Sequence, residues 1–327
     1  MLNQGIVSVH LEPTARCNAF CPMCSRTNNP KILSNQGEIS FDDFVKFFPE
    51  DFIKGLNQFK LCGNYGDPAI AKDLLEIHEY LYSINPDMDL MLSTNGGIRN
   101  ERFWTELGKI YAKQPKWHVE FHIDGMEDTN HIYRIGVKWD KLMKNVKAFN
   151  ATGAISGWFF IPFFHNEHQI EEAEALSKQI GCKEFVIKIS ARFQDARKPF
   201  VYEGGKLYPP TSDRFRIEKF QKKEQLKCVS EMRKEIFVDA WGRLWPCCWT
   251  ASAVNRSPDW PMAKENPQIN SLYHRSIKEI IDSKEMNDWI QSQYKCDTSV
   301  CHKRCTGSYI HVIDRQGIQK PQKEYWD

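Results

Sequence analysis

The chain has 327 residues, of which 41% are hydrophobic and 26% are charged, with a formal net charge of +2. This composition suits a globular protein of one large or two modest domains, and the near-neutral charge gives no electrostatic footprint for nucleic acid. A local basic run at 215–227 is expected to form a solvated amphipathic helix. The apolar stretch at 158–164 is too short to span a bilayer, and residues 1–16 lack the order of a signal peptide. We therefore expect a cytoplasmic protein.

Hydrophobic periodicity switches repeatedly between that of strands and that of helices along the first 190 residues. Strands that alternate with helices imply parallel βαβ crossovers, so we predict an α/β fold, either an open sheet or a partial barrel. The first predicted helix begins with Ser40 at its N-cap. The predicted strands are 5–12, 59–63, 87–94, 117–124, 156–164 and 183–190, and the predicted helices are 40–50, 70–84, 100–112, 138–151 and 167–180.

Four consecutive predicted strands end in polar or glycine-rich sequence. Three cysteines at CxxxCxxC spacing follow the first strand, GNYGDP (63–68) follows the second, STNGG (93–97) the third and HIDG (122–125) the fourth. In a barrel of parallel strands, chemistry takes place at the carboxyl ends of the strands. One glycine turn would be weak evidence, but four strand ends that include a cysteine triplet predict a ligand site at this rim.

Eleven cysteines in a cytosolic chain are better explained by metal ligation than by disulfides, because that compartment keeps thiols reduced. Cys62 and Cys182 stand alone in apolar sequence, and we expect them to be small core residues. The first cluster has three thiols, one fewer than a tetrahedral metal or a cubane cluster requires. The two clusters are Cys17, Cys21 and Cys24, and then Cys228, Cys247, Cys248, Cys296, Cys301 and Cys305.

CxxxCxxC after the first strand resembles the signature of the radical S-adenosylmethionine (SAM) enzymes, and the resemblance covers nearly the whole chain. It implies a partial (β/α)6 TIM-like barrel in which Cys17, Cys21 and Cys24 hold a [4Fe–4S] cluster. The fourth iron is then left open for the amino and carboxylate groups of SAM, which explains why three thiols suffice. The resemblance also implies reductive cleavage of SAM to a 5′-deoxyadenosyl radical, which abstracts hydrogen from an unactivated C–H bond.

Three further segments resemble SAM-binding motifs of this family. GNYGDP is similar to the glycine-rich motif that holds the SAM amino group, although it has an inserted Tyr65, and STNG is similar to the ribose motif. HIDGMEDTNHIYR is similar to an SxDG segment followed by arginine, with His122 where serine is common; in isolation its Asp-Gly would be typical of an ordinary turn. The resemblance implies SAM contacts from Gly63, Asn64, Gly66, Asp67, Ser93, Thr94, Asn95, Asp124 (near the ribose) and Arg134 (on the carboxylate).

The last third of the chain predicts a small ββα unit made of EIFVDA, a glycine turn, RLWPCC and a helix at 276–290. With its C-x13-G-x4-C spacing, this unit resembles the SPASM or shorter twitch extension of radical SAM enzymes. The resemblance implies one auxiliary [4Fe–4S] cluster, with Cys228, Cys247 and Cys305 as ligands and Cys301 or Cys296 as the fourth. Cys248 is adjacent to Cys247 in the sequence. A tetrathiolate zinc site is the alternative, because zinc accepts the same ligands.

The predicted organisation is a barrel (1–191), a connector (192–227) and a small α+β cluster domain (228–327). We expect a radical SAM oxidoreductase or maturase that oxidises, crosslinks or epimerises a peptide or a small polar substrate. The alternative is a non-catalytic iron–sulfur or zinc module for electron transfer or docking, but such a module has no use for the strand-end motifs. Flavodoxin or ferredoxin is the expected reductant. Because only sixteen residues precede Cys17, a leader-peptide-binding protein would be a separate partner.

Overall fold

The computed structural model describes residues 5–190, 192–193, 195, 197–216, 226, 228–256, 266, 268–296, 299–305 and 312–313. The strands are β1 (Ser8–Leu11), β2 (Gln58–Leu61), β3 (Asp89–Thr94), β4 (Trp117–His122), β5 (Ile155–Phe160), β6 (Glu184–Lys188), β7 (Phe200–Tyr202), β8 (Gly205–Leu207), β9 (Glu235–Val238), β10 (Leu244–Trp245) and β11 (Val312–Ile313). The helices are α1 (Pro30–Ser34), α2 (Phe41–Phe47), α3 (Glu50–Lys54), α4 (Leu74–Ile84), α5 (Glu101–Tyr111), α6 (Asn130–Tyr133), α7 (Trp139–Asn150), α8 (Ile170–Gln179), α9 (Val229–Met232), α10 (Cys248–Arg256), α11 (Ile277–Ile281), α12 (Lys284–Lys295) and α13 (Val300–Cys305).

Each of the six strands and five helices predicted in the first 190 residues is present. Ser40 caps α2 as predicted, since its side chain accepts a hydrogen bond from the Asp43 backbone N–H. The helix predicted over 70–84 is divided: a 3₁₀ turn at Pro68–Ile70 precedes α4. Asp67 caps that turn by accepting from Ala69 N, so the chain turns once before the longer helix begins.

Two predicted elements of the last third differ from the structure. The strand predicted over RLWPCC is limited to β10, because Pro246 has no N–H to continue the ladder, and Cys248 instead begins α10. The helix predicted at 276–290 is two helices. Ser283 accepts a hydrogen bond from Met286 N and thereby caps α12 as a new helix after α11 has ended.

The chain divides into two compact units, of which the first comprises Met1–Arg16, Ser34–Leu92 and Gln221–Ser308. Its strands lie in the order β10-β9-β1-β2-β3, with β9, β1, β2 and β3 parallel and β10 antiparallel to β9. Alternate strand residues form the core of this unit: Phe59 of β2 is fully buried and packs edge-on against Phe48. The predicted hairpin of the last third therefore extends this sheet through β9.

The second unit comprises Cys17–Leu33, Ser93–Phe220 and Tyr309–Asp327, and it contains the last two residues of β3. Strands β4, β5 and β6 are parallel in that order, and β11 pairs with β6 in antiparallel fashion. An aromatic core between the sheet and the helices α5 and α7 is formed by Trp104, Phe121 and Phe149, whose rings lie 5.3–6.2 Å apart.

The predicted module boundaries after residues 191 and 227 stay a prediction. Most of the basic run at 215–227, with its predicted amphipathic helix, lies outside the described residues. Within the described part of the chain, no helix is both long and apolar enough to cross a membrane.

Candidate functional site

The loop that carries the first three cysteines is held by the buried side chain of Arg26. Its guanidinium donates to the carbonyl oxygens of Cys17 (2.7 Å) and Ala19 (3.3 Å), and it lies 4.9 Å from the ring centre of Phe20. Within the same loop, the hydrogen bond from Cys24 N to Cys21 O, at 3.0 Å, closes a turn. Motif spacing alone did not identify Arg26; the available signal was a charged residue two positions after the last cysteine.

The sulfur atoms of this loop face hydrogen-bond donors. Cys17 Sγ accepts from Ala19 N at 3.4 Å and from Asn95 Nδ2 at 3.7 Å, and Cys21 Sγ accepts from Arg134 Nη1 at 3.9 Å. Burial raises the pKa of the Cys21 thiol, while the Arg134 guanidinium acts in the opposite direction. N–H groups and a cation beside sulfur stabilise a thiolate, which is the form that binds iron.

In the part of the chain that the structure describes, no three His, Cys, Asp or Glu side chains converge as a preformed metal-binding group. The donor chemistry of the loop nevertheless fits an iron–sulfur cluster. It provides three thiols, N–H donors directed at the Cys17 sulfur and a guanidinium beside the Cys21 sulfur. Soft thiolates in such surroundings are the ligands that iron–sulfur clusters use.

Asp124 and Arg134 form a buried ion pair at the end of β4. Arg134 Nε donates to Asp124 Oδ2 at 2.6 Å, and the Asp124 side chain is 0% exposed. The other carboxylate oxygen accepts from Ile161 N at 2.7 Å, which holds the ends of β4 and β5 together. The structure thus brings both predicted residues to the cysteine loop, because Arg134 contacts Asp124 through one nitrogen and Cys21 through another.

The three residues of the predicted ribose motif point to different partners. Asn95 joins the cysteine loop through its amide, which donates to Asn18 Oδ1 at 2.9 Å. Thr94 Oγ1 accepts from Gly96 N at 3.0 Å and so shapes the turn after β3. Ser93 is directed elsewhere: its hydroxyl lies 2.6 Å from His122 Nε2 and 3.2 Å from Glu120 Oε2.

In the first unit, the glycine-rich loop after β2 is held by a carboxylate that sequence analysis missed. Glu12, fully buried at the end of β1, accepts from Tyr65 N at 2.6 Å and from Gly66 N at 2.9 Å. Burial raises the pKa of Glu12 to about 8, against the opposing effect of these N–H donors. A Cβ at Gly66 would lie 1.7 Å from Thr14 O, and one at Gly63 would lie 2.2 Å from Gly66 O. Backbone packing therefore requires both glycines.

The two remaining residues of this motif already have structural partners. Asp67 is buried and caps the 3₁₀ turn at Pro68–Ile70, as Oδ1 accepts from Ala69 N at 3.0 Å. Asn64 Nδ2 donates to Cys248 O at 2.9 Å, which connects the loop to the start of α10. Their predicted contacts with SAM stay predictions.

The second cysteine group also lies in the first unit. Hydrogen bonds from the Cys305 thiol and the Tyr294 hydroxyl outweigh burial and lower the pKa of Cys228 to about 6. Cys247 Sγ accepts from Thr250 N at 3.5 Å, at the start of α10. Burial, reinforced by the charges of Cys247 and Cys228, raises the pKa of Cys301 to about 12. The Cys228 and Cys305 side chains are therefore hydrogen-bonded neighbours.

Two cysteines differ from this group. Cys296 is exposed at the C-cap of α12. Cys248 is half-buried, and burial together with the neighbouring Cys247 raises its pKa well above the usual value. Of the two cysteines predicted to be core residues, Cys182 is buried and Cys62 is half-buried.

The model of the Radical SAM superfamily matches residues 11–177, just over half of the chain. The chain belongs to this superfamily. The resemblance based on CxxxCxxC is thereby confirmed, as is the predicted α/β fold, which solved structures of radical SAM enzymes share. Membership implies that this radical SAM enzyme uses a [4Fe–4S] cluster and SAM.

Similar curated proteins are GTP 3′,8-cyclases of Helicobacter pylori. That of strain 26695 is 27% identical over 88% of this chain and 93% of its own, and that of strain J99 is 22% identical over the same shares. Among solved structures, Streptococcus suis SuiB bound to S-adenosylmethionine has a TM-score of 0.58 at 13% identity, covering 94% of this chain and 73% of SuiB. Native anSMEcpe with bound AdoMet has a TM-score of 0.55 at 14% identity, covering 91% of this chain and 89% of its own. At these identities the structural likeness supports the fold alone.

Proposed function

We propose that this radical SAM enzyme abstracts a hydrogen atom from an unactivated C–H bond of a peptide or small polar substrate, acting as an oxidoreductase or maturase. When bound at Cys17, Cys21 and Cys24, the cluster supplies the electron that cleaves SAM. The observation that carries the proposal is the position of Arg134, which contacts both the Cys21 sulfur and the buried Asp124 carboxylate.

The chain's own residues bind and orient the methionine end of SAM. Arg134 uses Nε for Asp124 and Nη1 for Cys21, which leaves Nη2 available to donate to the SAM carboxylate. Asp124 fixes the guanidinium plane, so the charge that meets the carboxylate is already oriented before SAM binds. Asn95 connects the turn after β3 to the same loop through Asn18. The resemblance assigns the remaining SAM contacts to Thr94, Gly63, Asn64, Gly66 and Asp67, and also to Ser93, although the Ser93 hydroxyl faces Glu120 and His122 in this structure.

The second cysteine group is proposed to hold an auxiliary [4Fe–4S] cluster of the SPASM or twitch kind. The resemblance implies Cys228, Cys247 and Cys305 with Cys301 or Cys296 as ligands, and the hydrogen bond between the Cys228 and Cys305 side chains supports the pairing of two of them. Exposure of Cys296 makes it the weaker candidate for the fourth position. Zinc is the alternative occupant, because four thiolates also suit its tetrahedral coordination.

Substitution of the first cysteine triplet tests the proposal. Cys17→Ala, Cys21→Ala and Cys24→Ala should each abolish 5′-deoxyadenosine formation after anaerobic reconstitution, because a cluster that lacks a protein ligand cannot present its open iron correctly. Cys182→Ala is the matched control, since this thiol contacts Asn150 rather than the loop. Undiminished 5′-deoxyadenosine formation in any of the three variants would refute the ligand assignment.

Metal content separates the two clusters. The wild type should contain about eight irons per chain, and a Cys17/Cys21/Cys24 triple-alanine variant about four, the content of one cubane. Stoichiometric zinc and no iron in the triple variant would mean that the second cysteine group binds zinc rather than an auxiliary cluster. In the opposite experiment, alanines at Cys228 and Cys247 should leave SAM cleavage partly intact while turnover of the true substrate fails.

The full-length similarity to GTP 3′,8-cyclases favours a second candidate substrate, GTP. A peptide substrate is supported only by analogy, because the structure of SuiB has been solved with its precursor peptide SuiA. Assays of the reconstituted enzyme with GTP, polyols and candidate peptides, with flavodoxin or ferredoxin as reductant, would distinguish them by the rise in 5′-deoxyadenosine release. A peptide that acts only with a separate leader-binding protein would identify that partner.

A further inference from the structure

Strand β4 has a polar face opposite its apolar core face. Trp117, Val119 and Phe121 are fully buried, and Phe121 packs against the rings of Trp104 and Phe149 on the helices. Glu120 and His122 lie on the other face, because successive strand residues point to opposite sides. Ser93 of β3 and Lys188 of β6 contact Glu120 there, and these four residues are called the inner polar cluster.

The cluster is arranged around one carboxylate oxygen. Glu120 Oε2 lies 3.2 Å from Ser93 Oγ, 3.2 Å from His122 Nε2 and 3.9 Å from Lys188 Nζ. Burial favours the neutral acid, but the Lys188 ammonium and His122 outweigh it and hold the pKa of Glu120 at about 2. Burial, together with Lys188, lowers the pKa of His122. At neutral pH the cluster therefore has a carboxylate, an ammonium and a neutral imidazole.

Hydrogen-bonding capacity remains in this cluster. The 3.9 Å separation of Lys188 Nζ from Glu120 is beyond hydrogen-bond distance, and the Lys188 side chain is 31% exposed while that of Glu120 is 8% exposed. The ring centre of Phe159 lies 5.1 Å from Lys188 Nζ and 5.3 Å from the ring centre of His122. The ammonium and the imidazole thus share one apolar wall. Keeping ionised groups on an inner face is costly, and apolar residues would serve packing better.

We propose that the inner polar cluster binds a hydroxyl group of a small-molecule substrate, such as a sugar or polyol. Lys188 donates a hydrogen bond to the hydroxyl oxygen, and the hydroxyl in turn donates a hydrogen bond to the Glu120 carboxylate, whose position is held by His122 and Ser93. A neutral group with one donor and one acceptor suits the cluster, because Glu120 repels an anion and Lys188 repels a cation. The buried ring of Phe159 bounds the cluster on the side of the Lys188 ammonium and the His122 ring. This inference rests on the proposed function and specifies the substrate class at that enzyme.

The test measures binding of two named probes, guanosine and myo-inositol, to the reconstituted, SAM-loaded enzyme by saturation-transfer NMR titration. At least one probe should bind the wild type and lose about tenfold or more in affinity in Lys188→Met and in Glu120→Gln, because each loses a charge-assisted hydrogen bond. The double variant Glu120→Gln/Lys188→Met leaves no unpaired charge, so it guards against misfolding of the single variants. Lys178→Met is the control, since Lys178 pairs with Glu174 on α8.

The hydroxyl groups themselves are tested with 2′,3′-dideoxyguanosine, which should bind the wild type no better than guanosine binds the double variant. Three outcomes would overturn the inference. Neither probe binds, or binding is unaffected in all three cluster variants, or a serine-containing peptide binds in place of the probes. The proposed function fails separately: it is refuted when the wild type releases no 5′-deoxyadenosine, whereas intact SAM cleavage without hydroxyl-dependent probe binding refutes only the inner polar cluster as a substrate site.

Discussion

Replacing Arg134 by methionine should weaken SAM binding and destabilise the fold for two separable reasons. The first is loss of a charge-assisted hydrogen bond to the SAM carboxylate, about 1.5–3 kcal/mol, or roughly 10- to 150-fold in Kd. The second arises within the protein, because Asp124 is 0% exposed and loses its cationic partner. Breaking a buried pair from one side costs about 3–5 kcal/mol. Ile161 N still donates to Oδ1, which favours the lower end of this range.

A double-mutant cycle with Asp124→Asn separates the two effects. Asparagine keeps an oxygen for Ile161 N but has no charge, so Arg134→Met/Asp124→Asn contains no uncompensated carboxylate. The double variant should therefore be less destabilised than the sum of the single variants, by about 1–3 kcal/mol. Its SAM affinity should be no higher than that of Arg134→Met, because the guanidinium is absent from both and the predicted ribose contact of Asp124 is altered as well.

The assays are urea unfolding of the cluster-free chain and isothermal titration of SAM into the reconstituted enzyme. Arg134→Lys is the matched control: it keeps the charge but loses the planar fork that serves Asp124 and Cys21 together. Additive free energies of unfolding would contradict the buried-pair argument. Wild-type SAM affinity in Arg134→Met would remove Arg134 from the SAM site.

Two further predictions concern groups that hold strand-end loops. Because the native pKa of Glu12 is raised to about 8 from 4.5, its contribution to stability is complete below pH 4.5 and is lost as the pH rises to 8, at up to about 1.4 kcal/mol per pH unit. Glu12→Gln should remove this pH dependence of the free energy of unfolding, measured by urea unfolding between pH 5 and 8. If wild type and variant show the same pH dependence, the assignment of the titration to Glu12 is wrong. Arg192 donates to Met23 O at 3.3 Å, beside Cys24. Arg192→Met should lower the reduction potential of the cluster at the first cysteine triplet by on the order of 50–100 mV, because one nearby cation is lost. EPR redox titrations measure this potential, and the exposed control Lys198→Met should leave it unchanged. An unchanged potential in Arg192→Met would refute the prediction.

The alternation in WHVEFHID was visible in the sequence, and it indicated more than a strand. A parallel sheet covered on both faces by apolar layers typically has near-continuous apolar strands. His118, Glu120 and His122 instead alternate with apolar residues, so one face of β4 was predictably polar. The sequence could not identify the partners on that face, because Ser93 and Lys188 come from other strands and their contacts depend on sheet register.

The cysteine spacing predicted the first cluster, but it left the fourth auxiliary ligand open between Cys296 and Cys301. The difference comes from local helix geometry that spacing does not encode. α12 continues to Lys295, which leaves Cys296 exposed at its C-cap, whereas Cys301 lies in α13 and is buried. A ligand pattern with variable intervals cannot report where one helix ends and the next begins.

Buried carboxylates hold two of the strand-end loops, and only their surroundings distinguish them. Asp124 holds the end of β5 through Ile161 N and has Arg134 as its ion-pair partner. Glu12 holds the glycine-rich loop through Tyr65 N and Gly66 N, and no salt bridge to Glu12 is found among the described residues. Because burial without a cation favours the neutral acid, the loop after β2 is held by a group that titrates near neutral pH, whereas the loop after β4 is held by an ion pair. The glycine-rich motif is visible in the sequence; the carboxyl group on which it depends is about fifty residues away and recognisable only once β1 and β2 are paired.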